Sequence, residues 1–265
     1  MNKEIKLKIN TIHNMDCLEG LKLMENEIVD LVITSPPYDN LRDYNGYNFN
    51  EKHCISIIEE LYRVVKTGGV VVWIVNDETT MASESGTSFK QALEFKKAGF
   101  CLYDTMIFAK KNPKPLTHRR YEQEFEYMFI FSKLCPKTFN PIMVPCKNAG
   151  KKSSGTEIKR PNGKRIKKSS YKEVKSHKIK GNIWYYSTPN KKNNDHPAVF
   201  PLELAIDHIK SWSNPGELIL DCFMGSGTSA IAALQEHRNF IGFEISSQYC
   251  NDANKKIEAF NTNLK

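Results

Sequence analysis

No apolar run in this 265-residue chain approaches the roughly 20 residues that a membrane span requires, and the opening Met1-Asn2-Lys3-Glu4 lacks the apolar segment of a secretory signal. The expectation is a cytoplasmic protein. Its seven cysteines (17, 54, 101, 135, 146, 222 and 250) are odd in number, scattered, and include no Cys-x-x-Cys pair. That argues for reduced thiols and against a disulfide framework or a zinc ribbon. Histidines 13, 53, 118, 177, 196, 208 and 237 form no ligand-spaced cluster, so no metal centre is expected. Internal repeats are also absent.

What is present is a core and an uneven charge. Apolar residues make up 40% of the chain, enough for one large α/β domain with an insertion, or at most two small domains. The net charge is +8, yet Lys147–Lys180 alone holds thirteen Lys/Arg against two Asp/Glu, leaving 25 basic and 28 acidic groups elsewhere. This segment is rich in Ser, Gly and Asn. A solvated surface loop is one reading. A patch that displaces counterions from nucleic-acid phosphate is the other, and the clustering favours it.

Periodicity predicts strands alternating with helices. Lys6–Asn10 alternates like a short strand, Met15–Leu21 reads as a turn opening a helix, and the run from Ile28 to Ile33 is a buried strand. Helical spacing covers Glu51–Lys66, Phe89–Ala98, Pro201–Trp212, Thr228–Glu236 and Tyr249–Phe260, with buried strands at Val70–Val75, Leu102–Ala109, Glu126–Phe131, Leu218–Leu220 and Phe240–Phe243. Such alternation implies a Rossmann-like α/β fold, a mostly parallel central sheet with helices on both faces.

Two strand ends carry the chemistry. After Ile33 comes Thr34-Ser35-Pro36-Pro37-Tyr38, where two prolines fix φ and remove two backbone donors. The loop is a rigid turn at least. It also presents a hydroxyl, carbonyl oxygens and an aromatic ring, the groups that grip a planar base and accept from an exocyclic amine. After Leu220 comes Asp221-Cys222-Phe223-Met224-Gly225-Ser226-Gly227-Thr228, opening a helix. Glycines admit a ligand close to the backbone, and Glu244, 23 residues past Asp221, has the spacing of a ribose-binding acid. Gly225-x-Gly227-x-x-Ala230 nominally fits a dinucleotide pattern. However, only 21 residues follow Glu244, too few for a second mononucleotide half, and an acid before the glycines suits a sulfonium better than a pyrophosphate.

Together, Ser35-Pro36-Pro37-Tyr38, Leu41-Arg42-Asp43-Tyr44, Lys66-Thr67-Gly68-Gly69, Trp184, His196-Pro197-Ala198-Val199-Phe200-Pro201, Asp221–Thr228 and Phe243-Glu244 with Tyr249 resemble the DNA amino-methyltransferases, which methylate cytosine N4 or adenine N6. The catalytic loop precedes the cofactor loop, which is similar to the circularly permuted beta order of that family. Cys222 and Thr67 stand where the family often has proline. The resemblance implies a catalytic half over 1–134, a basic target-recognition region over 135–194 and a cofactor-binding half over 195–265. It implies S-adenosyl-L-methionine as cofactor, held by Asp16, Cys17, His196, Pro197, Phe200, Asp221, Phe223, Gly225, Ser226, Gly227, Thr228 and Glu244, with Ser35, Pro36, Pro37 and Tyr38 catalytic. Asp16 as a helix cap and His196 as a turn brace are the plainer readings of those two residues.

The expected partner is double-stranded DNA, gripped by Arg119, Arg120, Lys151, Lys152, Lys159, Arg160, Lys164, Arg165, Lys167 and Lys168, with a cognate restriction endonuclease as a further partner and a monomer or homodimer as the assembly. Ser at the first motif position resembles the cytosine-N4 enzymes; adenine N6 is the alternative. Methylation at cytosine carbon 5 would need a thiolate, and Pro145-Cys146 lies far from any strand-end motif. RNA or protein-glutamine methylation uses related Asn-Pro-Pro-Tyr loops, and a non-catalytic DNA-binding module would have no use for the Gly225 loop with Glu244.

Overall fold

The computed structural model describes residues 7–37, 49–113, 115, 119–152, 157–159, 161–167, 173–188 and 200–263. From the amino end come β1 (Thr11–Asn14), α1 (Cys17–Lys22), β2 (Val29–Thr34), α2 (Glu51–Val64) and β3 (Val65–Val75). A short hairpin of β4 (Thr79–Thr80) and β5 (Ser83–Glu84) precedes α3 (Thr87–Lys97), β6 (Cys101–Lys110) and β7 (Phe125–Ser132). Then follow β8 (Met143–Pro145), β9 (Glu157–Lys159), β10 (Arg165–Lys167), β11 (His177–Ile179) and β12 (Ile183–Tyr186). The order closes with α4 (Leu202–Trp212), β13 (Leu218–Asp221), α5 (Thr228–Gln235), β14 (Asn239–Glu244) and α6 (Ser247–Asn263).

Eight strands form one sheet in the order β1-β14-β13-β2-β3-β7-β6-β12, in which β7 alone runs antiparallel to the rest. Helices α1, α2 and α3 pack on one face and α4, α5 and α6 on the other. Burial on both faces is why the central strands read as unbroken apolar runs: Leu31, Val32, Ile33 and Val71 to Ile74 are all inaccessible to solvent. Trp73 is fully buried and its indole Nε1 donates to Gln91 Oε1 at 2.8 Å, the partner a buried indole requires. Phe95 and Phe131 stack with ring centroids 4.1 Å apart beneath α3.

The chain leaves β2 through α2 toward β3 on one side, and leaves β13 through α5 toward β14 on the other. The strand order therefore reverses between β13 and β2, and the carboxyl ends of these two strands flank the crevice where open α/β sheets bind ligands. Both loops singled out from sequence, 35–37 and 222–227, start at that crevice.

Three departures from the sequence expectation bear on the architecture. The first strand is Thr11–Asn14, not Lys6–Asn10: Asn10 turns the chain with φ 58° and exchanges hydrogen bonds with Phe240, so pairing to β14 begins one residue later. The helix expected over Glu51–Lys66 ends at Val64, and Lys66-Thr67-Gly68-Gly69 already belongs to β3, which starts at Val65. Gly68 takes φ 83° inside the strand, the ladder to β2 shifts register between Val29 and Leu31, and Lys66 pairs with Asp30 at 2.7 Å. Finally, β12 joins the main sheet beside β6 although its four residues are too few for periodicity to reveal.

The chain divides into two compact units, Met1–Asn140 with Asn182–Lys265, and Pro141–Gly181. The smaller unit contains nested antiparallel pairings, β8 with β11, a Lys152–Glu173 bridge, and β9 with β10. It holds all thirteen Lys/Arg and both Glu of the basic stretch.

Candidate active site

Thr34 ends β2 fully buried, followed by half-buried Ser35, buried Pro36 and half-buried Pro37. Asp221 ends β13 with 2% exposure. The Thr34 hydroxyl donates to Asp221 Oδ1 at 2.6 Å, Phe223 N donates to the same oxygen at 3.0 Å, and the Ser229 hydroxyl donates to Oδ2. Burial pushes the Asp221 pKa up, and these three donors pull against that shift.

The glycine loop is shaped by its own backbone. Gly225 has φ 51° and Gly227, which precedes α5, has φ 82°; a Cβ on Gly227 would stand 3.1 Å from that of Ala253. Gly225 N donates to Glu244 Oε2 and Ser246 N donates to Glu244 Oε1, each at 2.8 Å. Glu244 is thereby tied to the loop, and each carboxylate oxygen keeps a further lone pair for a ligand hydroxyl. Burial raises the Glu244 pKa above the usual carboxylate range.

Phe223 sits edge-on to Phe49, ring centroids 5.4 Å apart, and Phe49 in turn meets His53 at 5.9 Å. Asp16 caps α1, its Oδ1 accepting from Leu18 N at 2.9 Å and Glu19 N at 3.3 Å, while Oδ2 faces His53 Nε2 at 3.3 Å. Asp16 thus does cap a helix, and it does so beside the aromatic cluster of Phe223. His53 is the residue that sequence reasoning missed. It lies 37 positions from Asp16, so only the packing of α1 on α2 reveals the pair.

Donor atoms of Asp16, Cys17 and His53 lie within 4.8 Å of one another and could approach a soft divalent ion. Burial first, then the Asp16 charge, pushes the Cys17 thiol up.

Phe200 shares a cavity of about 660 Å³ with Ser226, Gly227 and Thr228, together with Lys111, Tyr186 and Thr188. A volume of this size suits a small-molecule ligand. The Tyr186 hydroxyl donates to Asp207 at 2.5 Å on the same wall. A smaller cavity of about 120 Å³ lies beside Pro37, Phe49 and Lys90.

Arg119 and Arg120 are exposed between β6 and β7, and Arg120 Nη1 donates to Thr79 Oγ1 at 2.8 Å. Lys151, Lys152 and Lys164 are exposed in the basic unit. Lys159 belongs to β9, and Arg165 and Lys167 belong to β10. Tyr38, Arg160, Lys168, His196 and Pro197, like the Leu41–Tyr44 motif, lie outside the described residues.

A switch-point crevice flanked by a proline-stiffened loop on one strand end and a glycine loop with a strand-end acid on the other is the ligand-binding arrangement of a Rossmann-like α/β fold. Comparison with known proteins makes the class specific. The sequence profile of the N6/N4 DNA methylase family matches residues 29–255, and the chain belongs to that family. It is 46% identical over 241 residues to the orphan methyltransferase M.BamHII of Bacillus amyloliquefaciens, an alignment covering 88% of this chain and 89% of that protein.

Among solved structures it shares the fold of the cytosine-N4-specific PvuII DNA methyltransferase, with TM-score 0.68, 20% identity and coverage of 97% and 94% of the two chains. A complex of M1.HpyAVI with S-adenosylmethionine matches with TM-score 0.58 and 24% identity over 93% of this chain and 98% of that one. The protein is a DNA methyltransferase of the N4/N6 class. Among the described residues no helix is long and apolar enough to cross a membrane.

Proposed function

We infer that the protein transfers the methyl group of S-adenosyl-L-methionine to the exocyclic N4 of a cytosine flipped out of duplex DNA. The observation that carries this reading is the meeting of the two loops: Thr34, one residue before Ser35, is hydrogen-bonded at 2.6 Å to Asp221, which opens the glycine loop. This closeness supports donor and acceptor sites built on the two loops within one crevice.

The cofactor supplies an activated methyl, so the protein's task is alignment for in-line displacement. Glu244 takes the ribose hydroxyls, and Phe223 packs on the adenosine with Asp16 and Cys17 nearby. Ser226, Gly227, Thr228 and Phe200 shape the methionine end, a role that the family resemblance extends to His196 and Pro197. Asp221 would neighbour the methionine amino group of the cofactor. Tyr38 stacks on the extruded base, an interaction of about 1–3 kcal/mol that offsets part of the few kcal/mol lost on flipping. The Ser35 hydroxyl and the Pro36 carbonyl accept from the target amine, turning its lone pair toward the methyl and stabilising the positive charge that grows on nitrogen.

The basic unit and the two arginines hold the phosphate backbone. The protein works in the cytoplasm as a monomer or homodimer, and its modification shields a short sequence from a cognate endonuclease.

Transfer of labelled methyl to duplex DNA, followed by nucleoside analysis of the product, tests the reading. N4-methylcytosine is the expected product, whereas N6-methyladenine would replace cytosine by the alternative base. Ser35→Ala and Tyr38→Ala are expected to lose transfer while retaining cofactor affinity. A Ser35→Ala variant that methylates normally would remove the role given to that hydroxyl.

A further inference from the structure

We propose that Thr34 is a positioning residue for methyl transfer, its hydroxyl fastening the catalytic loop to the cofactor loop across the crevice. The proposal rests on the reading of the two loops given above. The ladder between β13 and β2 consists of Ile219–Leu31 and Leu220–Val32. Beyond those pairs the crevice opens, and the cross-strand link is the side-chain bond from Thr34 Oγ1 to Asp221 Oδ1 at 2.6 Å.

Its surroundings make this bond stiff. Thr34, Asp221 and Ser229 are exposed by only 0%, 2% and 1%, so water does not compete for the donors. On its other side Thr34 is held in the ladder to β3 opposite Trp73. The residue is thus fixed by backbone on one flank and by its hydroxyl on the other, and the next residue is Ser35. Asp221 is likewise one residue from the Cys222-Phe223 turn, and its carboxylate also accepts from Phe223 N and the Ser229 hydroxyl.

The hydroxyl does not set the course of the strand, although its loss takes one of three donors from the buried Asp221 carboxylate and should lower the melting point modestly. Strand β2 is already placed by ladders on both sides, and valine has the same shape at position 34. What the hydroxyl adds is a fixed offset between Ser35, which orients the amine, and the loop that orients the methyl. A displacement of about 1 Å between reacting groups can cost 10²-fold in rate. The consequence falls on the chemical step and leaves the affinity for either substrate.

The test uses the full chain with Thr34→Val, Thr34→Ser and Ser229→Ala. Cofactor affinity is read by calorimetry, thermal stability by melting, and chemistry by the single-turnover rate of labelled methyl transfer to duplex DNA. Thr34→Val is expected to bind cofactor within about threefold of wild type and to transfer about 10²-fold more slowly. Thr34→Ser is expected to recover most of the rate, since it restores the donor. Ser229→Ala removes a donor from the same carboxylate but keeps the cross-link, so its transfer rate should fall far less than that of Thr34→Val.

The proposal is overturned if Thr34→Val transfers at the wild-type rate, or if Thr34→Ser is as slow as Thr34→Val. It is also overturned if Ser229→Ala is equally slow, or if rate, cofactor affinity and melting point fall together. Each of those results leaves the methyltransferase reading standing. A wild-type protein that transfers no methyl to any duplex would overturn both.

Discussion

Glu244, proposed above to take the ribose hydroxyls of the cofactor, shows how neighbours hold one side chain in place. Two loop amides at 2.8 Å hold its carboxylate in place, while burial raises its pKa above the ordinary carboxylate range. It therefore takes up a proton at a higher pH than a solvated glutamate would. The charged form is the better acceptor for ribose hydroxyls, so affinity for S-adenosylmethionine should fall as the pH drops from neutral toward that range. Hydrogen bonds to a charged group contribute about 1.5–3 kcal/mol, so Glu244→Gln should weaken binding tenfold or more and flatten the pH dependence. Calorimetric titration of cofactor across that pH interval checks both.

At Asp221 a shift in the same direction bears on stability. Its folded-state pKa is raised, so the buried charge costs stability above that pKa, and the cost is relieved as acidification protonates it. Asp221→Asn should abolish this relief, so on acidification the denaturation midpoint of the variant should fall more steeply than that of the wild type.

At the scale of elements, two glycines decide how closely helices approach the sheet. Helix α1 lies on β14 through Gly20, where a Cβ would come within 2.3 Å of the Phe243 ring. Gly20→Ala should cost about 1–3 kcal/mol through overpacking, measured as a lower melting temperature. Gly227 sits at φ 82° where the chain enters α5. Alanine there faces about 1–2 kcal/mol of left-handed strain as well as the neighbouring Ala253 methyl, so Gly227→Ala should lose cofactor affinity along with stability. The proportion separates the two: Gly20→Ala should leave cofactor affinity nearly intact.

The whole molecule separates its charge between two units. One, Pro141–Gly181, holds thirteen basic and two acidic residues, while the remainder holds 25 and 28. DNA affinity should accordingly fall steeply with salt. Each phosphate contact removed should flatten the slope of log K against log salt by about 0.9. Replacing Lys151, Lys152 and Lys164 by Gln should lower that slope stepwise while cofactor affinity holds, as binding titrations over a range of salt will show.

Sequence alone was enough to determine the alternation of strands and helices, the two strand-end loops, and the segregation of charge. Buried parallel strands such as Val70–Val75 must be apolar throughout, and a loop that meets a ligand must use residues with restricted or permissive φ, namely the prolines at 36 and 37 and the glycines at 225 and 227. These are local demands, so they leave local marks. Strand order, and with it the identity of the crevice, was decided only by tertiary structure, because hydrogen bonding between β13 and β2 joins residues 188 positions apart. The same holds for Thr34 with Asp221 and for Asp16 with His53. A threonine at a strand end and a histidine on a helix are unremarkable as letters; their chemistry comes from the partner that folding brings within hydrogen-bond reach.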